Sequence, residues 1–191
     1  LSLAGFFISA QEVVIGLLMG FVVQMIFDAL VIGGQTVAMS MGLGFAMLID
    51  PQRGVSVPVL SQFLIVLGLL IFLALNGHLL MLKALAASFD LAPVGQVVSR
   101  EGLWTLLNWG SEMFNGALTI ALPAVVALLV VNTAFGVMSR AAPTLNLFAV
   151  GFPVAMLLGF LVLWLNTPNL LPGIRQLMDR SFELIRAVLV S

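Results

Sequence analysis

The chain has 191 residues, of which 62% are hydrophobic and only 8% are charged. A soluble domain carries about 25% charged residues, so this chain cannot cover its own surface with groups that water solvates well. The net charge of −1 leaves no basic surface for nucleic acid, and the absence of Cys excludes disulfides and Cys-ligated metals. A soluble enzyme is therefore excluded, and lipid or a large protein partner must surround the chain.

Four long stretches of the sequence carry no Asp, Glu, Lys or Arg: residues 29–49, 54–82, 113–139 and 141–174. Each is at least as long as the roughly 20 residues that cross a hydrocarbon core. In lipid every backbone N–H and C=O must be paired inside the structure, so these stretches are predicted to be helices. The predicted fold class is all-α, with polytopic hydrophobic helices.

In chain order, the first predicted helix runs from about residue 3 to residue 45 and bends at Gly33 and Gly34, since paired glycines weaken a helix. Residues 49–54 contain Asp, Pro and Gly and form the turn that follows. The second helix covers about 58–89, because Pro58 is a favoured first-turn residue. A polar linker separates it from the second half of the chain.

The third predicted helix covers 101–139, and Pro123 in its middle is expected to kink or split it. The fourth covers 145–165, and a break at 166–172 follows. The last helix, 173–190, is amphipathic and suits a wet boundary, since its charged side chains avoid the apolar stripe. That predicted stripe consists of Met178, Phe182, Ile185 and Leu189.

Ionisable side chains inside apolar helices are costly and mark function or assembly. The candidates are Glu12, Asp28, Lys83 and Glu112. One interpretation is a proton or ion pathway; the other is a capped helix end or a charge paired with a neighbouring subunit. The second is favoured, because isolated acids without a nearby His or second acid make a poor relay. Asp28 lies well inside the first helix, with Gln24 and Gln35 nearby in the sequence.

Residues 39–47, with the sequence MSMGLGFAM, combine flexible Met side chains with Gly residues that permit backbone bends. Such a stretch suits a deformable seal, and ordinary helix packing is the alternative. The GxxxG from Gly16 to Gly20 indicates either a close helix approach or chance in a chain with 18 glycines. His78, the only His, lacks the neighbours of a metal site and is expected to hydrogen-bond at a helix bend.

Four segments, in this order along the chain, resemble the FliR family of the bacterial flagellar type III protein-export gate and its injectisome counterparts. They are GQTVAMSMGLGFAMLIDP at 34–51, LNGHL at 75–79, NTAFGVMSRAAP at 132–143 and LNLFAVGFP at 145–153. Each segment is short and apolar, but their order over nearly the whole chain is specific. Family members begin with further hydrophobic sequence, and this chain starts at Leu1 without a signal peptide, so we interpret it as part of a longer protein.

The resemblance implies a subunit without cofactors that assembles with several copies of FliP and FliQ into a helical hetero-oligomeric gate. Further implied partners are FlhA and FlhB of the same export apparatus, unfolded export substrates and lipid, and the implied location is the inner membrane at the flagellar basal body. The chain would comprise a FliP-like half, residues 1–95, and a FliQ-like half, residues 96–191.

In this family the loop around the glycine and methionine stretch plugs the pore. Carried onto this sequence, the plug consists of Met39, Met41, Gly42, Leu43, Gly44, Phe45 and Met47. Polar residues with a possible buried or assembly role are Gln24, Asp28, Gln35, His78 and Glu112. Gln35 and Ser40 would wet the passage. The expected function is a conduit without chemistry of its own.

Three other functions remain open at this point. A secondary transporter would bind a small solute between broken helices, and it would work as a single purified chain. An intramembrane enzyme would need converging catalytic side chains, which one His and scattered acids do not supply. A purely structural scaffold subunit would have the same composition and would line no pore.

Overall fold

The computed structural model describes residues 3–44, 59–96, 98–141 and 147–190. These residues form five helices: α1 (Leu3–Ser40), α2 (Val59–Ala74), α3 (Gly77–Leu91), α4 (Arg100–Ala141) and α5 (Leu147–Val190). Within these ranges there is no strand. Three helices, α1, α4 and α5 from Val150, are long and apolar enough to cross a membrane, and α2 with α3 could form a fourth, broken span. The all-α polytopic fold class is confirmed.

The predicted second helix is two helices, because the chain breaks at the Asn76-Gly77 pair and α3 leaves α2 at 66°. Asn76 adopts a left-handed conformation with φ 58° and ψ 29°, which Asn tolerates better than most residues. Gly77 is needed at the break because a Cβ there would overlap the ring of Phe72. That ring also packs edge to face against Phe27 of α1, with centroids 5.5 Å apart.

The predicted break at 166–172 is wrong, since α5 continues through Pro153, Pro168 and Pro172. The predicted split of the third helix is also wrong, because α4 is continuous through Pro123. Each Pro removes one helical hydrogen bond, and both helices continue past that loss.

The first compact unit comprises Leu1–Ala29, Gly68–Asn115 and Ile174–Ser191. The end of α5 contributes a buried stripe with a repeat of about 3.5 residues, as in a coiled coil. The stripe consists of Ile174, Leu177, Met178, Ser181, Leu184, Ile185, Val188 and Leu189. Three of the four predicted stripe residues are therefore buried, and Phe182 is half-buried. The charged faces of this segment point outward, which confirms its amphipathic character.

The second compact unit comprises Leu30–Leu67 and Gly116–Gly173. Gly33 and Gly34 are part of a continuous α1, and their role here is close packing. A Cβ on Gly34 would lie 2.7 Å from the backbone Cα of Ser61 in α2, and one on Gly33 would lie 3.1 Å from the carbonyl oxygen of Ala117 in α4. Ser61 is fully buried and donates its hydroxyl to the Val31 carbonyl at 3.0 Å. The approach of α2 therefore requires glycine at position 34, and a Cβ on Gly33 would displace the α4 backbone by a few tenths of an ångström.

A cavity of about 530 Å³ opens between α2 and α5 in the second unit. Its described lining is apolar apart from Thr167, and it includes Leu43, Phe63, Phe160 and Trp164. The two compact units are defined by packing within this chain.

The predicted division between residues 95 and 96 is of another kind, because it concerns likeness to two other subunits. It stays a prediction.

Candidate functional site at the end of the first helix

The described part of the predicted plug begins where α1 ends. The N–H of Gly42 donates to the Met39 carbonyl and the N–H of Leu43 to the Ala38 carbonyl, both at 3.0 Å. Gly42 has φ 82°, in the left-handed region. This pair of bonds around a left-handed glycine is a Schellman motif, which satisfies carbonyls at the helix end that have no helical partner. The chain therefore leaves α1 in a defined direction, and the helix stops about five residues earlier than the sequence predicted.

Met41 is the anchor of this turn. Its side chain is 1% exposed and belongs to a buried cluster formed by α1, α2, α4 and α5. The other members of that cluster are Val37, Ala38, Leu60, Ala121, Ala124, Leu128 and Ala155. Leu43 packs against the same cluster, which adds the apolar contact that usually accompanies a Schellman motif. Met41 and Leu43 thus hold the helix end to the core of the second unit.

Met39 has the opposite environment. It is 57% exposed, on the side of α1 that faces away from the cluster. Its sulfur lies where a Cβ on Gly44 would be, so the side chain folds over that glycine. Phe45 and Met47, the remaining residues of the predicted plug, lie outside the described residues. The described plug residues therefore divide into a buried anchor and one exposed, flexible side chain.

A residue that the sequence analysis did not single out contacts this helix end from α4. The Asn132 amide nitrogen lies 3.4 Å from the carbonyl oxygen of Ser40, in the last turn of α1. The hydroxyl of Ser40 in turn donates to the Thr36 carbonyl at 2.9 Å, so it is directed along the helix. An Asn in the long uncharged stretch of α4 indicates a buried polar contact, but the sequence does not identify its partner, which lies 92 residues away.

Three polar residues of α1 share one face of the helix with Met39. Gln24, Asp28, Gln35 and Met39 are separated by four, seven and four residues, so they fall on one face of the helix. The Gln24 amide donates to an Asp28 carboxylate oxygen at 3.1 Å, so these two side chains form a pair. Gln35 is exposed. The second half of α1 therefore carries three polar side chains on one face.

The remaining charged candidates have partners inside the first unit or lie at its surface. Glu112 forms an ion pair with Arg180 of α5, with the two side chains 31% and 46% exposed. Glu12 accepts the backbone N–H of Gly95 at 3.2 Å and so holds the linker before α4. Lys83 is exposed. Both acids therefore have contacts within the chain, and pairing with a neighbouring subunit stays a prediction.

His78 lies at the break between α2 and α3, where a bend was expected. Its Nδ1 is buried and has no hydrogen-bond partner among the described residues. Elsewhere in the described ranges, no group of three or more His, Asp or Glu is arranged to hold a metal ion. The second unit thus holds a helix terminus, the buried Met41 and the exposed Gln35 and Met39.

The sequence of the chain matches a known protein family. The family described as Bacterial export proteins, family 1, matches residues 2–181. The flagellar biosynthetic protein FliR of Pectobacterium carotovorum subsp. carotovorum is 35% identical over 190 residues, which is 98% of this chain and 72% of that protein.

Two further FliR proteins show the same extent of similarity. The protein of Escherichia coli (strain K12) is 32% identical, over 95% of this chain and 70% of its own length. That of Bacillus subtilis (strain 168) is 30% identical, over 94% of this chain and 71% of its own length. The chain therefore belongs to the FliR family of bacterial export proteins, as a helical membrane component of the flagellar export apparatus.

Proposed function

We propose that this chain is a core subunit of the flagellar type III export gate in the bacterial inner membrane. With FliP and FliQ it forms the channel through which unfolded flagellar proteins pass, and residues 39–47 close that channel. FlhA and FlhB are the proposed neighbours in the same apparatus. The division into a FliP-like half and a FliQ-like half is part of this proposal.

The observation that best supports a plug at residues 39–47 is the difference in burial between Met39 and Met41. A closing element needs a fixed base, so that it returns to one place, and a deformable tip that adapts to what it contacts. The buried Met41 and the Schellman motif at Gly42 supply the base. Met39 supplies a flexible, polarizable side chain at the surface, of the kind that packs well against irregular partners.

The polar face of α1 supports the position of this element beside a wet passage. Polar residues in apolar helices are costly toward lipid and usually face a bundle interior or a water-filled cavity. Gln24, Asp28 and Gln35 share their face with the exposed Met39. A passage along this face would be lined by groups that water solvates, with the methionine at its end.

Exposed apolar surface supports assembly with other subunits. Only 44% of the most apolar part of α1 is buried within the chain, and the corresponding share is 22% in both α4 and α5. The rest needs lipid or sister subunits as a covering. A transporter working alone has less support, because the described lining of the 530 Å³ cavity offers one polar side chain, Thr167, for a polar solute.

The proposal is tested by deleting residues 39–47 and isolating the gate through a tag in mild detergent. Native mass spectrometry should recover the same complex with two other small hydrophobic proteins, because the helices that form the interfaces are kept. In planar bilayers the deleted gate should conduct small ions while the parent gate stays closed. Met39→Leu is the matched control, since Leu and Met have similar volumes, and it should remain closed.

Three outcomes would contradict the proposal. A tight deletion variant in an intact complex would remove the plug role. A protein recovered alone that still moves a small solute would favour the transporter. Failure of a photo-crosslinker at residue 42 to reach a stalled export substrate, although the complex is intact, would leave a scaffold that lines no pore.

A further inference from the structure

Gly159 of α5 lies directly against the side chain of Met41. An ideal Cβ on Gly159 would lie 2.6 Å from Cγ, 2.8 Å from Sδ and 2.8 Å from Cε of Met41. Real Cβ atoms essentially never approach other heavy atoms this closely. Because three successive atoms of Met41 would be displaced, a rotation of its terminal methyl group alone could not relieve the overlap.

Small residues surround this contact on two helices. Ala121 and Ala124 of α4 and Ala155 of α5 belong to the same buried cluster as Met41, and each is at most 5% exposed. Ala155 and Gly159 are four residues apart, so they lie on the same face of α5. The methionine therefore fills the space that these small residues leave open in the cluster.

We propose that Gly159 is a positioning residue for the plug: by leaving room for Met41, it fixes the end of α1 and hence the point from which the closing segment starts. This inference rests on the proposed function of residues 39–47. Gly159 itself touches Met41 and acts only through it. The contact gives a physical reason for Gly in the interior of this helix, because Gly is a poor helix former and Ala would be preferred if space allowed.

The first variant is Gly159→Ala, which adds the one atom that meets Met41. Its matched control is Gly173→Ala in the same helix, because a Cβ on Gly173 meets nothing within 4 Å. Both changes raise helix propensity equally, so a difference between them reports the contact. We expect both gates to assemble, the Gly159→Ala gate to show a several-fold higher ion leak in planar bilayers, and the Gly173→Ala gate to stay closed.

The second variant removes the anchor without adding any atom. Met41→Ala deletes Cγ, Sδ and Cε, the atoms that a Cβ on Gly159 would meet, and should also leak. Combining Met41→Ala with Gly159→Ala should leak no more than Met41→Ala alone, because the overlap no longer exists. Met41→Leu should remain closed, since it keeps the buried volume.

The outcomes separate this inference from the plug itself. If deletion of residues 39–47 leaks but assembled Gly159→Ala and Met41→Ala gates are both tight, the positioning role is wrong and the plug stands. If the gate with residues 39–47 deleted conducts no ions, the proposed plug is wrong, and the positioning role of Gly159 is wrong with it. If Gly159→Ala does not assemble, Met41→Ala decides, and a tight Met41→Ala gate overturns the inference. Additive leaks in the double variant overturn it as well.

Discussion

Replacing Gly42 tests the backbone geometry at the end of α1. Gly42 has φ 82°, and an L-residue with a Cβ in the left-handed conformation is disfavoured by roughly 1–2 kcal/mol. If the chain avoided this strain by unwinding, it would lose the hydrogen bonds that Gly42 and Leu43 donate to Met39 and Ala38. Those two bonds contribute about 1 kcal/mol each, so both routes lead to a penalty of similar size.

Three substitutions divide this penalty into its causes. Gly42→Ala introduces the backbone strain alone, and 1–2 kcal/mol corresponds to a roughly 5–30-fold shift in a two-state equilibrium. Gly42→Asn should be the mildest, because Asn is several-fold enriched in the left-handed region. Gly42→Asp keeps the shape of Asn but puts a negative charge beside the carbonyl end of the helix, which adds about 0.3–1 kcal/mol.

The assay is the ion leak of purified gates in planar bilayers, with swimming motility in soft agar as the readout in cells. Variants are compared only after native mass spectrometry shows equal assembly. We expect the leak to rise in Gly42→Ala and Gly42→Asp, and to change least in Gly42→Asn. Equal leaks in Gly42→Asn and Gly42→Ala would refute the backbone argument. Normal tightness and normal motility in Gly42→Asp would refute both the seal and the charge argument.

Two further predictions concern packing and charge away from the plug. Gly34→Ala should destabilise the protein by about 1–3 kcal/mol, because its Cβ would meet the backbone of Ser61 at 2.7 Å. Thermal unfolding in detergent measures this loss. Gly16→Ala is the control, since a Cβ on Gly16 would meet no described atom within 4 Å. Glu112→Gln should lower stability by only about 1 kcal/mol or less and leave export intact, since its ion pair with Arg180 is partly exposed; loss of export in a stable Glu112→Gln variant would revive the proton pathway.

The helices themselves could be predicted because their signals are local. The lack of charge from 113 to 139 predicts α4 without knowledge of any contact. The start of α4 is also local, because Ser99 caps it by accepting the N–H of Gly102 at 2.9 Å. The continuity of α5 through Pro168 and Pro172 was not predictable in this way, since Pro is itself a local signal for a helix break or kink.

The candidate site was predictable as a stretch of sequence and not as an arrangement. Met39 and Met41 are two residues apart, and a helix of 3.6 residues per turn puts them about 200° apart, so they had to face different surroundings. Which of them is buried depends on α4 and α5. The contributions of Asn132 and Gly159 could not be found either, because an amide and a missing Cβ acquire their roles only from partners about 90 and 120 residues away.

In the proposed gate, the burial of Met41 determines where opening has to occur. Drawing Met41 out of its cluster would leave a hole and cost about 2–5 kcal/mol, as truncation of a buried methionine does. Displacing Met39 would uncover little, since more than half of its side chain is already exposed. A passing substrate would therefore move Met39 and the residues beyond Leu43, while α1 keeps its end in place. The closing segment would return to the same position after each passage, because Met41 stays buried in its cluster.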